Sequence, residues 1–158
     1  MALDSNVLKN GFIQLSLVPA VNVFDAASHW SQIYAQYAAS AQSPAGGSAP
    51  SLSAAQGLLA QTLVGAFSGS DPNYTSQALT AAFTAFWMLP PVVFSDAGVV
   101  TAATGAAILP SALMAAWAVN LATNADAGQA SGRIAGVLDA FTRLVIVTAP
   151  GPIVGPLT

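Results

Sequence analysis

Few side chains in this sequence have the chemistry to act as an acid, a base, a nucleophile or a metal ligand. There is one histidine, His29, and there is no cysteine and no glutamate. The only carboxylate side chains belong to six aspartates spread along the chain: Asp4, Asp25, Asp71, Asp96, Asp126 and Asp139. One histidine without cysteine or glutamate does not supply the three or four ligands of an ordinary zinc site. The sequence therefore predicts no metal site.

The same residues make a poor set for catalysis. General acid–base catalysis needs paired carboxylates, or a carboxylate near a base in a cleft. Four of the isolated aspartates have the positions of helix caps or turn residues instead: Asp25, Asp71, Asp96 and Asp126. His29 follows Ser28, but the sequence has neither a GxSxG nucleophile elbow nor a phosphate-binding glycine motif. We therefore expect a protein that is not an enzyme and that binds no cofactor.

The low charge content is the most unusual property of the chain. Only 6% of its 158 residues are charged, against roughly 25% in an ordinary soluble domain. The three basic residues, Lys9, Arg133 and Arg143, are scattered, whereas a phosphate-binding face needs clustered lysines and arginines. We therefore expect no nucleic-acid partner, and we expect much of the surface to be covered by other protein subunits or by lipid.

Covering by lipid is the main alternative. The hydrophobic fraction is 54% and the mean hydropathy is +0.63. Residues 98–122 are long enough and uncharged enough to span a bilayer. However, Pro110 divides this stretch, and no lysine or arginine flanks it closely enough to set an orientation. A small integral membrane protein of a multi-subunit complex or of a membrane-containing virus is kept as an alternative.

The elements that must position these residues are mainly helical. The patterns predict one domain over residues 1–158 with about five helices in a body at 25–142, interrupted by a flexible Gly/Ser/Pro loop at 43–50. Residues 1–24 are predicted to be an extended arm, since Pro19 interrupts a loosely alternating segment. Residues 143–158 are predicted to be a strand followed by a proline-rich extended tail.

Two aromatic clusters recur at helical spacing. One cluster contains Trp30, Tyr34 and Tyr37, and the other contains Phe83, Phe86 and Trp87. Such clusters are typical of a helical core, and buried aromatic residues also anchor protein interfaces. A third interpretation is a soluble binding module with an apolar pocket along the Phe83–Trp87 face.

The apolar ends of the chain are the candidate interaction sites. The tail has no evident partner within its own domain, so we expect both ends to grip neighbouring subunits, partly by strand addition. The candidate interface residues are Phe12, Leu15, Leu17, Leu144, Ile146, Ile153, Val154 and Leu157.

The end of the chain also carries a resemblance. The segment GRIAGVLDAFTRLVIVT followed by APGPIVGPLT, residues 132–158, resembles the ends of small structural proteins from tailed bacteriophages and related contractile particles. This resemblance implies a non-enzymatic virion or tail-assembly component that is built into a particle in the host cytoplasm. Its partners would be copies of itself and neighbouring structural subunits.

Overall fold

The computed structural model describes residues 3–151 and 153–158, and the predicted mainly helical class is confirmed. The described residues form six α-helices, one more than expected. They are α1 (Ser5–Leu17), α2 (Val23–Ala38), α3 (Ser53–Phe67), α4 (Pro72–Met88), α5 (Leu109–Ala122) and α6 (Ala127–Thr142). Helices α2, α3 and α4 pack in sequence, while α1 and α5 both pack on α6.

The additional helix lies where the sequence predicted an extended arm. Asp4 caps α1 by accepting a hydrogen bond from the Asn6 amide at 2.9 Å. Leu8 and Phe12, one helical turn apart, are the buried residues of this helix. The prediction was wrong because the 3.6-residue period of these apolar positions outweighs the loose alternation after them. Pro19 follows the end of the helix, as expected for a residue that disfavours helix immediately before it.

The core is built around the two aromatic clusters. Tyr34 and Tyr37 of α2 and the α4 residues Phe83, Phe86 and Trp87 are all fully buried. The ring of Tyr34 lies 4.6 Å from that of Phe83, measured between centroids. Because the side chains of Phe83, Phe86 and Trp87 have no access to solvent, these three residues do not line an apolar pocket.

A small antiparallel sheet closes one side of the helices. Its strands are β1 (Val99–Ala103), β2 (Val145–Thr148) and β3 (Val154–Pro156), in the order β1-β2-β3. The strand predicted after residue 143 is therefore present as β2.

The tail differs from its prediction, because it returns onto its own domain. Gly151, at a φ of 88°, makes the turn that lets β3 pair with β2, with Val147 opposite Gly155. Leu157 then donates its amide to the Val145 carbonyl at 3.1 Å and buries its side chain. The tail thus has an intramolecular partner.

The loop at 43–50 is also held rather than open. Ser43 is buried and donates its hydroxyl to the Asp96 carboxylate, which also accepts from the Gly47 amide at 3.3 Å. Pro44 packs against Gly155 of β3. The Gln42 amide donates to the Thr158 carbonyl at 3.0 Å. The loop therefore clamps the end of the tail.

The stretch considered as a membrane span is divided among three elements. It contains β1, a short 3-10 helix (Thr104–Ala107) and α5. The 14 residues of α5 correspond to about 21 Å, against a hydrocarbon core of about 30 Å. Over residues 3–151 and 153–158, no helix has both the length and the hydropathy needed to cross a bilayer.

Candidate interaction surfaces

The one histidine lies on α2 beside an aspartate. Nε2 of His29 is 3.7 Å from Oδ1 of Asp25, and both side chains are partly exposed. The carboxylate of Asp25 is already engaged, since its Oδ2 accepts a hydrogen bond from the Val21 amide at 3.0 Å. Nδ1 of His29 is buried and has no hydrogen-bond partner in the described part of the chain. The pair thus lacks a hydroxyl on Nδ1 that would make it a nucleophile–base set.

Asp4, Asp71, Asp96 and Asp126 each accept a hydrogen bond from a backbone amide. Asp71 caps α4 by accepting a hydrogen bond from the Asn73 amide at 2.9 Å. Asp126 caps α6 by accepting one from the Gln129 amide at 2.8 Å. Asp25 is not the cap of α2; that residue is Asn22, whose side chain accepts from the Asp25 amide. Within the two described ranges, no three histidine, cysteine or acidic residues cluster as a metal site would require.

A buried polar chain ties three helices together. Trp87 of α4 donates its indole N–H to the Tyr34 hydroxyl at 2.9 Å, and this hydroxyl lies 2.7 Å from Oγ1 of Thr142 on α6. Burial raises the pKa of the Tyr34 phenol well above its ordinary value. The phenol therefore stays neutral and acts as a structural link.

A second polar chain starts at Tyr37. Its hydroxyl donates to Oδ1 of Asp139 at 2.6 Å, and Arg143 donates to Oδ2 of the same carboxylate at 2.9 Å. Arg143 also donates to the Leu3 carbonyl at 2.7 Å, which fixes the start of the described chain. Burial, and then the hydrogen bond to Asp139, raise the pKa of Tyr37. Asp139 and Arg143 lie four residues apart on one helix, the spacing of an ion pair, whereas no sequence pattern indicated their partners on α2 and before α1.

Four strongly exposed apolar side chains lie where α1 meets α2. Leu17 and Val18 are 67% and 69% exposed, Val21 is 89% exposed and Phe24 is 72% exposed. We refer to these four residues as the corner surface. Single exposed apolar residues are ordinary, whereas large exposed apolar patches are typical of interaction sites.

A hollow lies next to the corner surface. It has a volume of about 290 Å³ and is bounded by Phe24 together with the α3 residues Gly57, Ala60, Gln61 and Val64. The α3 sequence contains no charged residue. The hollow thus extends an uncharged surface from the corner onto α3.

The candidate interface residues fall in two separate regions, α1 and the neighbourhood of the sheet. Phe12 and Leu157 are buried in the core, so neither is available to a partner; this part of the prediction is corrected. Leu15 and Ile146 are half-buried. The remaining four residues are exposed: Leu17, Leu144, Ile153 and Val154. Sequence reasoning missed Val18, Val21 and Phe24.

Comparisons with known proteins add no relative to this description. No family model matches the chain, and neither a curated protein nor a solved structure matches it.

Proposed function

We propose that this protein is a non-enzymatic structural subunit of a large protein assembly. The observation that carries the proposal is the corner surface, where four large apolar side chains are about two-thirds exposed or more. They lie on a chain with only 6% charged residues, which lacks the charge that normally keeps a free domain soluble. Contact with other subunits would cover this surface.

The expected energetics fit a contact made at more than one place. Monomers expose apolar patches of at most about 300–600 Å², and burying such an area gives roughly 7–15 kcal/mol. Association itself costs about 4–15 kcal/mol. For a single patch, the free energy gained by burial is therefore about equal to the free energy that association costs. A stable particle would combine the corner surface with further contacts, such as the exposed Leu144, Ile153 and Val154 near the sheet.

The assembly proposed is a virion or tail-like particle of a tailed bacteriophage or a related contractile system. The resemblance of residues 132–158 to the ends of such structural proteins supports it. In that setting the partners are copies of this chain and neighbouring subunits.

The distribution of basic residues supports a protein partner rather than a nucleic acid. Arg143 is engaged by Asp139, and Arg133 donates to the Asn120 side chain at 2.6 Å. Lys9, the third basic residue, lies on α1. With two of the three basic side chains already bound within the chain, little positive charge is left for a phosphate backbone.

The test is light scattering on a size-exclusion column in buffer without detergent. We expect a defined oligomer or a large particle, well above the 15.8 kDa of one chain, and electron microscopy of that fraction would give its symmetry. A stable monomer would contradict assembly from copies of this chain. Solubility only in detergent would contradict the proposal in favour of a membrane protein.

A further inference from the structure

We propose that a cleft between α1, α2, α5 and α6 binds an uncharged, extended, proline-containing segment of a partner protein. The proposal goes beyond the assembly function, because it names a separate site and the chemistry of the segment that this site takes. It does not depend on contact between copies of this chain.

The cleft is a recess of about 290 Å³. Phe12, Trp30 and Trp117 supply its aromatic walls, Asn120 and Ser131 supply its polar side chains, and we refer to it as the aromatic cleft. The rings of Phe12 and Trp30 already pack on each other, 4.5 Å apart between centroids. The volume is close to the lower limit of small-ligand sites, which is about 300 Å³. The aromatic cleft therefore has room for about one ring of a bound segment.

Ser131 is the side chain that most clearly indicates a ligand. It is one of six buried serine and threonine residues in the described part of the chain, and only 8% of its surface is exposed. The other five donate their hydroxyls within the chain: Ser31, Ser43, Ser76, Thr80 and Thr142. Over residues 3–151 and 153–158, Ser131 has no such partner, and its oxygen is not sealed from solvent. A buried hydroxyl without a partner destabilises a fold, so a ligand that accepts its proton would explain Ser131.

Asn120 presents its amide group in a fixed orientation. Arg133 donates from its guanidinium to Oδ1 of Asn120 at 2.6 Å. Because arginine only donates hydrogen bonds, the oxygen of this amide must face Arg133. The two N–H donors on Nδ2 are therefore left for a ligand in the aromatic cleft.

The indole N–H groups add further donors. Trp87, the third tryptophan of the sequence, donates to Tyr34 inside the core. Trp30 and Trp117 are only half-buried, and among the described residues neither N–H is paired or sealed from solvent. The walls of the aromatic cleft thus combine apolar ring faces with unpaired hydrogen-bond donors.

A ligand that fits these walls accepts hydrogen bonds, donates few and carries apolar rings. The lining includes no carboxylate, and the one amide oxygen is engaged by Arg133. Proline has a backbone carbonyl but no N–H, so a proline-containing segment is mainly an acceptor. Such segments have a preformed extended backbone, and they dock on aromatic-lined grooves.

Two other classes of ligand fit the aromatic cleft less well. A sugar carries hydroxyls that donate as well as accept, and the lining offers them only the Ser131 hydroxyl as a side-chain acceptor that is still free. A cationic ligand can bind over aromatic rings. Here, however, it would meet the positive charge of Arg133 beside Asn120 and no acidic side chain.

The bound segment has to come from another molecule. The chain's own proline-rich tail is already held, because β3 pairs with β2 and Leu157 is buried in the core. A neighbouring protein with an exposed proline-rich segment is therefore the partner that fits the aromatic cleft.

Binding is measured with a fluorescein-labelled peptide of ten prolines, whose fluorescence anisotropy rises when the protein binds it. This measurement works for a monomer and for a large particle alike. We expect saturable binding that an excess of the unlabelled ten-proline peptide reverses. A Gly/Ser peptide of equal length and glucose should not reverse it, because neither combines apolar rings with a backbone that only accepts hydrogen bonds.

Two substitutions remove donors from the aromatic cleft. Ser131→Ala deletes the hydroxyl, and Asn120→Asp replaces the N–H donors while it keeps an oxygen for Arg133. We expect each to weaken peptide binding about tenfold, which corresponds to the loss of one hydrogen bond. Asn73→Asp is the matched control, since it makes the same change at an exposed asparagine in the first turn of α4.

Melting curves followed by circular dichroism distinguish a ligand-binding serine from a structural one. Removal of a hydroxyl that stabilises the fold would lower the melting temperature. For Ser131→Ala we expect an unchanged or higher melting temperature together with weaker peptide binding, because the hydroxyl has no partner within the chain and alanine favours helix.

The outcomes separate this inference from the proposed function. The inference fails if the unchanged protein does not bind the peptide, if glucose reverses binding as well as the unlabelled peptide does, or if Ser131→Ala and Asn120→Asp bind no more weakly than Asn73→Asp. Light scattering on the same samples tests the function independently. A particle that does not bind the peptide leaves the function standing, whereas a monomer that binds it through Ser131 leaves only the inference.

Discussion

The tail after β2 and the segment that joins α1 to α2 both carry apolar side chains, but the fold buries only the first. The tail after β2 turns back at Gly151 and buries Leu157, which is 2% exposed. The segment that joins α1 to α2 turns away from the core and leaves Val21 89% exposed. Apolar composition alone therefore does not identify an interaction surface.

The difference arises from where backbone partners are available. β2 offers an unpaired edge to a following segment, so the tail satisfies its own amides while it buries its side chains. The edge that β3 then presents includes Pro156, which has no amide proton to donate. At the corner surface, the amides of Val18 and Val21 are already paired with the Gln14 carbonyl and the Asp25 carboxylate, so this segment does not add to a sheet.

Removal of the tail is the most severe test of this comparison. Deleting residues 149–158 removes β3 and the buried side chains of Ala149 and Leu157. We expect a loss of several kcal/mol in the free energy of unfolding, since each buried leucine alone is worth about 2–5 kcal/mol. Urea unfolding followed by circular dichroism measures this loss. A truncated chain as stable as the full one would show that the tail does not belong to the folded core.

A matched pair of leucines sharpens the same comparison. Leu157→Ala opens a cavity in the core, and we expect it to cost about 2–5 kcal/mol of stability. Leu17→Ala changes a side chain that is 67% exposed, and we expect stability to change by no more than about 0.5 kcal/mol. Thermal melting of the two variants, checked by light scattering to be in the same oligomeric state, measures both. Equal losses of stability would contradict the distinction between the buried tail and the exposed corner surface.

The next prediction concerns the polar chain that runs from Tyr37 through Asp139 and Arg143 to the Leu3 carbonyl. Tyr37→Phe removes the hydroxyl that donates to Asp139 at 2.6 Å. Since this is a hydrogen bond to a carboxylate, we expect a loss of about 1.5–3 kcal/mol. Tyr74→Phe, at a tyrosine that is 54% exposed, is the control and should change little. If the two variants unfold at the same denaturant concentration, Asp139 does not organise this region.

The sequence was sufficient for the helices whose ends carry strong local signals. Asp71 before Pro72 and Asp126 before α6 were candidate caps, and each acts as the cap of its helix. α1 was missed although Asp4, Leu8 and Phe12 have the spacing of a capped amphipathic helix. The Pro19 break and the alternating residues before it were given too much weight.

The contacts that decide the candidate site have no local signal. Tyr37 and Asp139 are 102 positions apart, and no periodicity in the sequence pairs them. The hollow beside Phe24 exists only because α2 packs on α3. For the tail, the turn at Gly151 after a β-branched run was a usable hairpin signal.

The hydrogen bonds of Asp96 to Ser43 and Gly47, which hold the loop against the tail, are called the clamp. Breaking the clamp should give the smallest change in stability, and this change depends on pH. Hydrogen bonds from the Ser43 hydroxyl and from the amides of Gly98 and Gly47 hold the pKa of the Asp96 carboxyl below its ordinary value. A lowered pKa in the folded state means that the ionised carboxylate stabilises the fold. This stabilisation is complete above the unfolded-state pKa of about 3.9 and is lost as the pH falls below it.

Asp96→Asn should therefore lower the melting temperature at neutral pH and bring it closer to that of the unchanged protein as the pH falls below about 4. The difference between the two melting curves isolates this one group, because the other aspartates titrate in both proteins. The readout that links it to the tail is hydrogen exchange at the Thr158 amide, which donates to the Gln42 carbonyl at 3.2 Å. Faster exchange in the variant would show that the hydrogen bonds of Asp96 help to hold the end of the tail in place. Unchanged exchange with a lowered melting temperature would contradict that link, because the tail would then be held by β2 alone.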